Sequence, residues 1–426
     1  MRILLNTQLI PFPPDAGPRV KTWNMLRYLA QQGHEVHLAS YMRAEEEPDT
    51  GAVRDICVSV STVPIQRSLS ADLVAWLRSH GHGRPFLVER DDLQAMRGLV
   101  RRIVVDKEIE VVHADQLSMA QFGLQARRAL KGTIARPWLI FDAHNAVWRV
   151  LERFKDKSSA LMRPVLDLEA RRIKRYEGQI VRAFDRTLAV SEIDRSALIE
   201  ASISGANGRG MDNGDHPIGL RISVIPIGVD TEQLQPAPRP SNSHSVLTLG
   251  TLHYPPNADG IRWFSSEVFP LVQAQAPEAT LTIVGKNPPS DIQSLAANSD
   301  GAINVTGYSP DLTPYLEAAA VMVVPVRAGG GMRVRILEGF ARGMPMVTTT
   351  LGLEGIEAAP NQDILVADTP TQFALQVVRL LENEQLRESL SRSGRRLAER
   401  KYDWKRALTP LGELYSRSVM ETYAAV

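Results

Sequence analysis

Hydrophobic and polar positions fall in blocks along this chain: short apolar runs, turns bearing glycine or proline, then stretches with helical spacing. The first block predicts a strand over residues 2–6, a Pro/Gly loop over 11–18, and a helix from about 20 to 31. Gly33 ends that helix, and residues 35–40 form the next strand. Later strands are predicted at 110–113, 138–141, 186–190 and 223–226, with one long helix over roughly 158–184. Residues 202–217, rich in Gly, Asn and Asp, read as an exposed loop. Pro236, Pro238, Pro240 and a Ser/Asn run make 226–245 the best domain boundary. A fresh series then predicts strands at 245–250, 280–285, 303–307, 320–324, 347–350 and 364–367. The alternation predicts an α/β protein of two Rossmann-like domains with parallel sheets, over residues 1–228 and 242–400.

Length agrees, since 426 residues exceed what one core normally organises. Charge narrows the partners: 49 basic against 48 acidic residues give no global field to recruit nucleic acid. A single cysteine, Cys57, rules out an internal disulfide and fits a reducing, cytoplasmic compartment. The first apolar run, Ile3 to Leu5, is broken at once by Asn6 and reads as neither signal peptide nor anchor. No stretch reaches the 18 or so apolar residues needed to cross a bilayer. The expectation is a soluble protein, or one attached at most to the inner face of a membrane. The basic run Arg171, Arg172, Lys174 and Arg175 reads first as a solvated helix face. Peripheral contact with anionic lipid headgroups is the alternative it leaves open.

The chemistry concentrates after the strand at 320–324. Gly329, Gly330 and Gly331 follow it, where bare backbone approaches a ligand closely. A helix is predicted from Met332 to around Gly343, with Pro345 beyond it as a stop signal. Strand, glycine turn and helix N-terminus together favour an anion, because unpaired N–H groups and the macrodipole point the same way. Arg333, expected in the first helical turn, adds a permanent cation with bidentate reach. No G-K-[ST] follows the glycines, so this is a phosphate cradle without the P-loop signature. Glu338 lies just over one turn further in, suited to holding the neutral hydroxyls of a ribose. Its bland alternative is a surface pairing with Arg335 and Arg342.

The segment from Pro325 through Leu337–Glu338 to Gly343, Pro345 and Val347 resembles the nucleotide-binding signature of retaining glycosyltransferases. It is most similar to the family-4 type with a GT-B fold, and the resemblance covers nearly the whole chain. It implies two Rossmann-like domains facing each other across a cleft, with a final helix at about 405–426 crossing back to the first. The family usually carries two glutamates separated by seven residues. Here the second is Glu338, and Gly330 stands where the first would be. Arg333 with Arg335 matches the glycine-rich variants of the family, and backbone amides from Gly329 to Met332 would take the place of the missing carboxylate. Relatives also carry an Arg and a Lys soon after the first glycine of the second domain. This chain has Gly250, Thr251, Leu252 and His253 followed by Tyr254, Pro255 and Pro256, so the cationic duty moves to Arg333, with Arg335 or Arg327 as candidate helpers.

By the same resemblance Gly17 belongs to a small-residue loop beside the donor phosphate, Thr251 and His253 to the donor site, and Tyr308 to the nucleobase. An ordinary βα turn for Gly17 and a strand-end aromatic packed on a helix for Tyr308 are the alternatives. His144 follows the strand at 138–141, where functional side chains project in open α/β sheets. It resembles the family histidine near donor sugar and acceptor, and the alternative is a structural role. His113 also ends a strand, but Ala114 and Asp115 after it read as a turn supporting the site rather than forming it. His34 reads as structural.

The reaction implied is transfer of a hexose-type sugar, with retention, from a nucleotide-diphosphate sugar to a hydroxyl of a glycan or glycolipid. The leaving phosphate needs charge stabilisation more than a strong base, which the helix terminus and Arg333 are placed to give. No clustered Asp or His suggests a metal, and no cofactor is expected. One rival is a nucleotide-sugar epimerase or hydrolase on a similar scaffold, but Asp115 and Asp142 do not read as a convincing acid–base pair. The other is a non-catalytic sugar-nucleotide-binding protein, which the residue at Gly330 leaves open. A dehydrogenase is disfavoured because no G-x-G-x-x-G follows the first strand.

Overall fold

The computed structural model describes residues 1–14, 17–43, 50–130, 136–156, 158–204, 218–236, 238, 240–416. The chain divides into two compact units. The first holds Met1–Pro226 and the described part of the segment from Leu408; the second holds Ile227–Ala407. Asp15 and Ala16, most of the loop expected at 202–217, and the last part of the terminal helix lie outside the described residues.

In the first unit the strands are β1 (Arg2–Thr7), β2 (Glu35–Arg43), β3 (Ser59–Ile65), β4 (Val111–Asp115), β5 (Trp138–Ala143), β6 (Arg186–Ala189) and β7 (Ile222–Val224). They pair in parallel in the order β3-β2-β1-β4-β5-β6-β7. Strands such as β4 and β6 are buried along their whole length, as expected where helices cover both faces. In the second unit β8 (Ser245–Leu249), β9 (Thr280–Val284), β10 (Ile303–Gly307), β11 (Val321–Val324), β12 (Met346–Thr348) and β13 (Leu365–Val366) pair in the order β10-β9-β8-β11-β12-β13. Each sheet grows outward to one edge and then reverses. The reversal lies between β1 and β4 in the first sheet and between β8 and β11 in the second. At such a switch point the connections from adjacent strands diverge and leave a crevice at the strand C-termini.

Two helices follow β5: Val147–Asp156, which patterning did not predict, and Arg163–Ala183, the long helix predicted over roughly 158–184. Pro164 occupies the first turn of the second, where its missing N–H costs nothing, so the helix begins there and not at 158. The expected terminal helix is broken into Trp404–Ala407 and Thr409–Leu414, with Pro410 again opening a helix. Patterning did not predict β3 or the helix Leu69–His82. The proline-rich segment after Pro226 packs on the second unit. Asp403 accepts hydrogen bonds from the N–H and hydroxyl of Thr231, and Arg395 donates to the carbonyls of Thr231 (2.8 Å) and Leu234 (2.6 Å). Among the described residues, no helix is long and apolar enough to cross a membrane.

Candidate active site

At the switch point of the second sheet, β11 runs into the glycine loop. Its end is tied down from the neighbouring strand: the Thr348 hydroxyl donates to the Val324 carbonyl at 2.8 Å, and that of Thr349 donates to Val326. Gly329 and Gly331 have φ of +91° and +84°, a region open to glycine but strained for other residues. The loop therefore turns back on itself before the helix. That helix is Val334–Ala341, two residues later than predicted. Arg333 is its N-cap with extended dihedrals (φ −93°, ψ 93°), and Met332 precedes it, so neither lies in the first turn. Two left-handed glycines so close together consume the residues expected to start the coil.

Arg333 curls over the loop and donates to the carbonyls of Gly330 (3.1 Å) and Ala328 (3.4 Å). Arg335 has a different task. It donates to the Leu249 carbonyl and to Asn257 Oδ1, both at 2.9 Å, and so staples the end of β8 to the helix Pro255–Trp263. Burial, with Arg333 beside it and Glu338 opposing, lowers its pKa to about 10. Glu338 makes no side-chain hydrogen bond or ion pair to any described residue, so the surface pairing with Arg335 and Arg342 does not form. Burial pushes its carboxyl above the ordinary value, and Arg342 and Arg335 hold it back only in part. A half-buried carboxylate without a partner, on a helix that opens at a glycine loop, has acceptor capacity to offer a ligand.

Thr251 and His253 are exposed on the turn after β8, beside this loop in the sheet order. Tyr308 is also exposed, following Gly307 at φ +72°, and the Lys286 ammonium stands 4.8 Å from its ring centroid. Sequence reasoning passed over Lys286, a cation next to Gly285, which follows β9. Arg327 lies over the Trp263 ring at 5.4 Å.

The switch point of the first sheet carries a denser polar network. Gly17 begins the helix Gly17–Gln31 after β1, and the next turn supplies Lys21 and Thr22, both buried. Lys21 forms an ion pair with Asp142, at the end of β5. The Thr22 hydroxyl donates to Asp115, at the end of β4, at 3.1 Å. His144 Nε2 lies 2.6 Å from Asp115 Oδ1, and His113 Nδ1 lies 2.6 Å from the Tyr415 hydroxyl. Burial acts to raise the Asp142 carboxyl, yet Lys21 and the His113 and His144 imidazoles hold it well below the usual carboxylate range.

Three expectations change here. Ala114 and Asp115 are strand residues, because β4 continues two residues past His113 in register with β5. Asp115 and Asp142 are direct partners across the two strands. With His144 they form an acid–imidazole cluster, one ligand atom of each lying within 4.8 Å of the others. Lys21 already supplies a positive charge to that cluster. Its signal was present in the sequence: Lys21, Met25 and Leu29 share one face at i, i+4 and i+8, an unpaired-looking cation on a buried stripe. Tyr415, about 300 residues from His113, had no local signal. His144 and Gly17 belong to the first unit, and the remaining predicted site residues to the second.

Two family patterns match successive parts of this chain: Glycosyltransferase Family 4 over residues 17–209 and Glycosyl transferases group 1 over residues 243–383. The chain is a glycosyltransferase of the GT-B type. This glycosyltransferase is 22% identical to an uncharacterised 44.6 kDa protein in the cps region of Klebsiella pneumoniae, covering 96% of this chain and 98% of that one. It is 22% identical to the phosphatidyl-myo-inositol mannosyltransferase of Mycobacterium leprae, covering 75% and 77%. Its fold is similar to that of Alr3699/HepE of Anabaena, solved in complex with UDP, with a TM-score of 0.65 at 14% identity over 97% and 99% of the chains.

Proposed function

We propose that this glycosyltransferase moves a hexose-type sugar, with retention of configuration and without a metal, from a nucleotide-diphosphate sugar to an acceptor hydroxyl. The acceptor class is a glycan or glycolipid of the cell surface. One observation carries the reading: Glu338 keeps its acceptor atoms unused on the helix that the glycine loop opens. In this reading the diphosphate sits against the loop and the N-terminal end of the helix, where the macrodipole favours an anion. Arg333 adds its charge as the phosphate departs, Glu338 accepts from the ribose hydroxyls, and Lys286 with Tyr308 flanks the base. His144, held by Asp115, is the catalytic imidazole that the first unit contributes in this reading.

The leaving phosphate oxygen takes the proton of the attacking hydroxyl on the same face of the sugar, so no carboxylate pair is required, unlike in glycoside hydrolysis. Support comes from the family matches, from a relative named as a mannosyltransferase, and from a similar fold solved with UDP. The test is incubation of the purified chain with UDP- and GDP-sugars, with and without a hydroxyl acceptor. Nucleotide release that depends on acceptor is the expected result. Acceptor-independent product would mean hydrolysis or epimerisation, and tight nucleotide binding with no product would mean a binding protein.

A further inference from the structure

We propose that the outer faces of the helix Leu69–His82 and of the start of the helix Arg163–Ala183 form a docking surface for an anionic lipid bilayer. The proposal goes beyond sugar transfer and does not rest on it. The first helix is turned the wrong way round for a soluble protein. Only Ala75 and Ser79 are fully buried, while Leu69, Leu73, Val74, Trp76 and Leu77 are 91, 57, 46, 44 and 56% exposed. At about 100° per residue Leu69, Leu73, Trp76 and Leu77 make one stripe, opposite the small inward-facing residues. The helix does not need that stripe to be buried in order to form, because its ends are capped locally. The Ser68 hydroxyl accepts from the Ala71 N–H, and Gly83 closes it at φ +66°.

The second helix meets the first near Ser79 and carries exposed apolar residues of its own. Arg172 donates to the Ser79 hydroxyl at 3.4 Å, and Glu169 accepts from the Phe86 N–H at 2.5 Å, so this side of the helix abuts the end of the first. Val165 and Leu168, one turn earlier on the same side, are 50 and 44% exposed, and Leu161 just before the helix is 86% exposed. Large apolar side chains exposed to this degree on both helices mark an interaction site.

Charge decides the occupant. Residues 161–175 hold five basic and two acidic side chains. Asp167 is engaged by Lys155 and Arg171, and Glu169 by the Phe86 N–H. Arg163, Arg171 and Arg175 are exposed, as is Arg78 on the first helix. A second copy of this chain, docking the same patch about a two-fold axis, would bring these cations against their own equivalents. A bilayer offers hydrocarbon for the leucines, an interfacial zone for Trp76, and anionic headgroups for the arginines. The basic run is thus not a uniform solvated face: Arg172 and Lys174 serve contacts with other elements, while Arg175 and Arg171, the latter paired with Asp167 on its own helix, stay exposed.

The experiment is co-sedimentation of the full chain with vesicles of phosphatidylcholine alone and of phosphatidylcholine mixed with phosphatidylglycerol. Binding to the mixed vesicles only, weakened by salt, is expected. Leu73→Ser with Leu77→Ser should lower partitioning about tenfold or more. Arg171→Gln with Arg175→Gln should lower it about fivefold per charge removed. Thermal unfolding checks that each variant is folded, and because none of these residues lies at the nucleotide site, UDP affinity should not change. Failure of the wild type to sediment with anionic vesicles overturns the proposal. So does light scattering that shows a wild-type dimer made monomeric by the leucine variant, or vesicle binding that survives both pairs of substitutions.

Discussion

Lys21 and Asp142 form an ion pair from which water is excluded, since neither side chain has any exposed surface. One comes from the first helix and the other from the end of β5, so the pair crosses the switch point of the sheet and sets the position of both elements. Two charges buried together cost heavily in desolvation, and their attraction returns that cost only while both are present. Lys21→Met should therefore destabilise the protein by about 3–5 kcal/mol in denaturant unfolding, by stranding Asp142. Lys21→Met combined with Asp142→Leu should recover much of the loss. A double variant no better than the single one would show that the pair matters for shape rather than charge.

His144 depends on Asp115 for its orientation, with Nε2 held at 2.6 Å and the Thr22 hydroxyl fixing the carboxylate in turn. Asp115→Asn keeps the shape but removes the charge. We expect turnover to fall about 10–100-fold while UDP affinity stays unchanged, since the nucleotide contacts proposed here lie in the other unit. Loss of UDP binding in this variant would place Asp115 in the donor site.

Glu338 presents the opposite balance. Its carboxylate is half-buried without a partner, so removing the charge should not harm the free protein. Glu338→Gln is expected to hold or raise the melting temperature and yet weaken UDP binding about 10–100-fold, the size of a charge-assisted hydrogen bond. Arg333→Ala should weaken binding similarly. Unchanged UDP affinity in both variants, read by calorimetry, would remove this loop from the donor site.

Sheet membership was legible because buried parallel strands are apolar runs bounded by turn residues, as at Val321–Val324. The glycine loop was legible for the same local reason. What escaped was polarity that becomes buried through distant partners. Asp115 and Asp142 are 27 positions apart and meet only by strand register, and Tyr415 reaches His113 from the far end of the chain. The helix Leu69–His82 was also missed, although Leu69, Leu73 and Leu77 recur at helical spacing. The start of the helix after the glycines was misplaced by two residues, since periodicity carries no information on φ.

Gly260 shows how closely the second unit is packed behind its loop. A Cβ there would lie 1.8 Å from the Pro325 carbonyl oxygen, a contact no side-chain rotation relieves because the backbone fixes both positions. Gly260→Ala must push the helix Pro255–Trp263 away from the end of β11. Destabilisation of about 2–4 kcal/mol is expected, together with weakened UDP binding as the loop shifts. A variant as stable as wild type would mean that this approach is looser than the structure shows.

Glu177 gives the chain a pH dependence of definite sign. It is fully buried and accepts from the backbone N–H groups of Val147 (2.9 Å) and Trp148 (3.2 Å), capping the start of the helix Val147–Asp156. Burial raises its pKa from an ordinary 4.5 to about 8, against the pull of those two N–H groups and with Asp194 adding repulsion. Between these values the folded chain holds a proton that the unfolded chain has released. Stability from this group is thus complete below the lower value and is lost as pH rises through the upper one. The expected slope is as much as ~1.4 kcal/mol per pH unit across that window. Glu177→Gln cannot ionise, so its unfolding free energy should be flatter from pH 5 to pH 8, even if one N–H contact is lost and the variant is less stable throughout. Parallel curves for wild type and variant would show that Glu177 stays charged in the fold, held so by the two amides it caps.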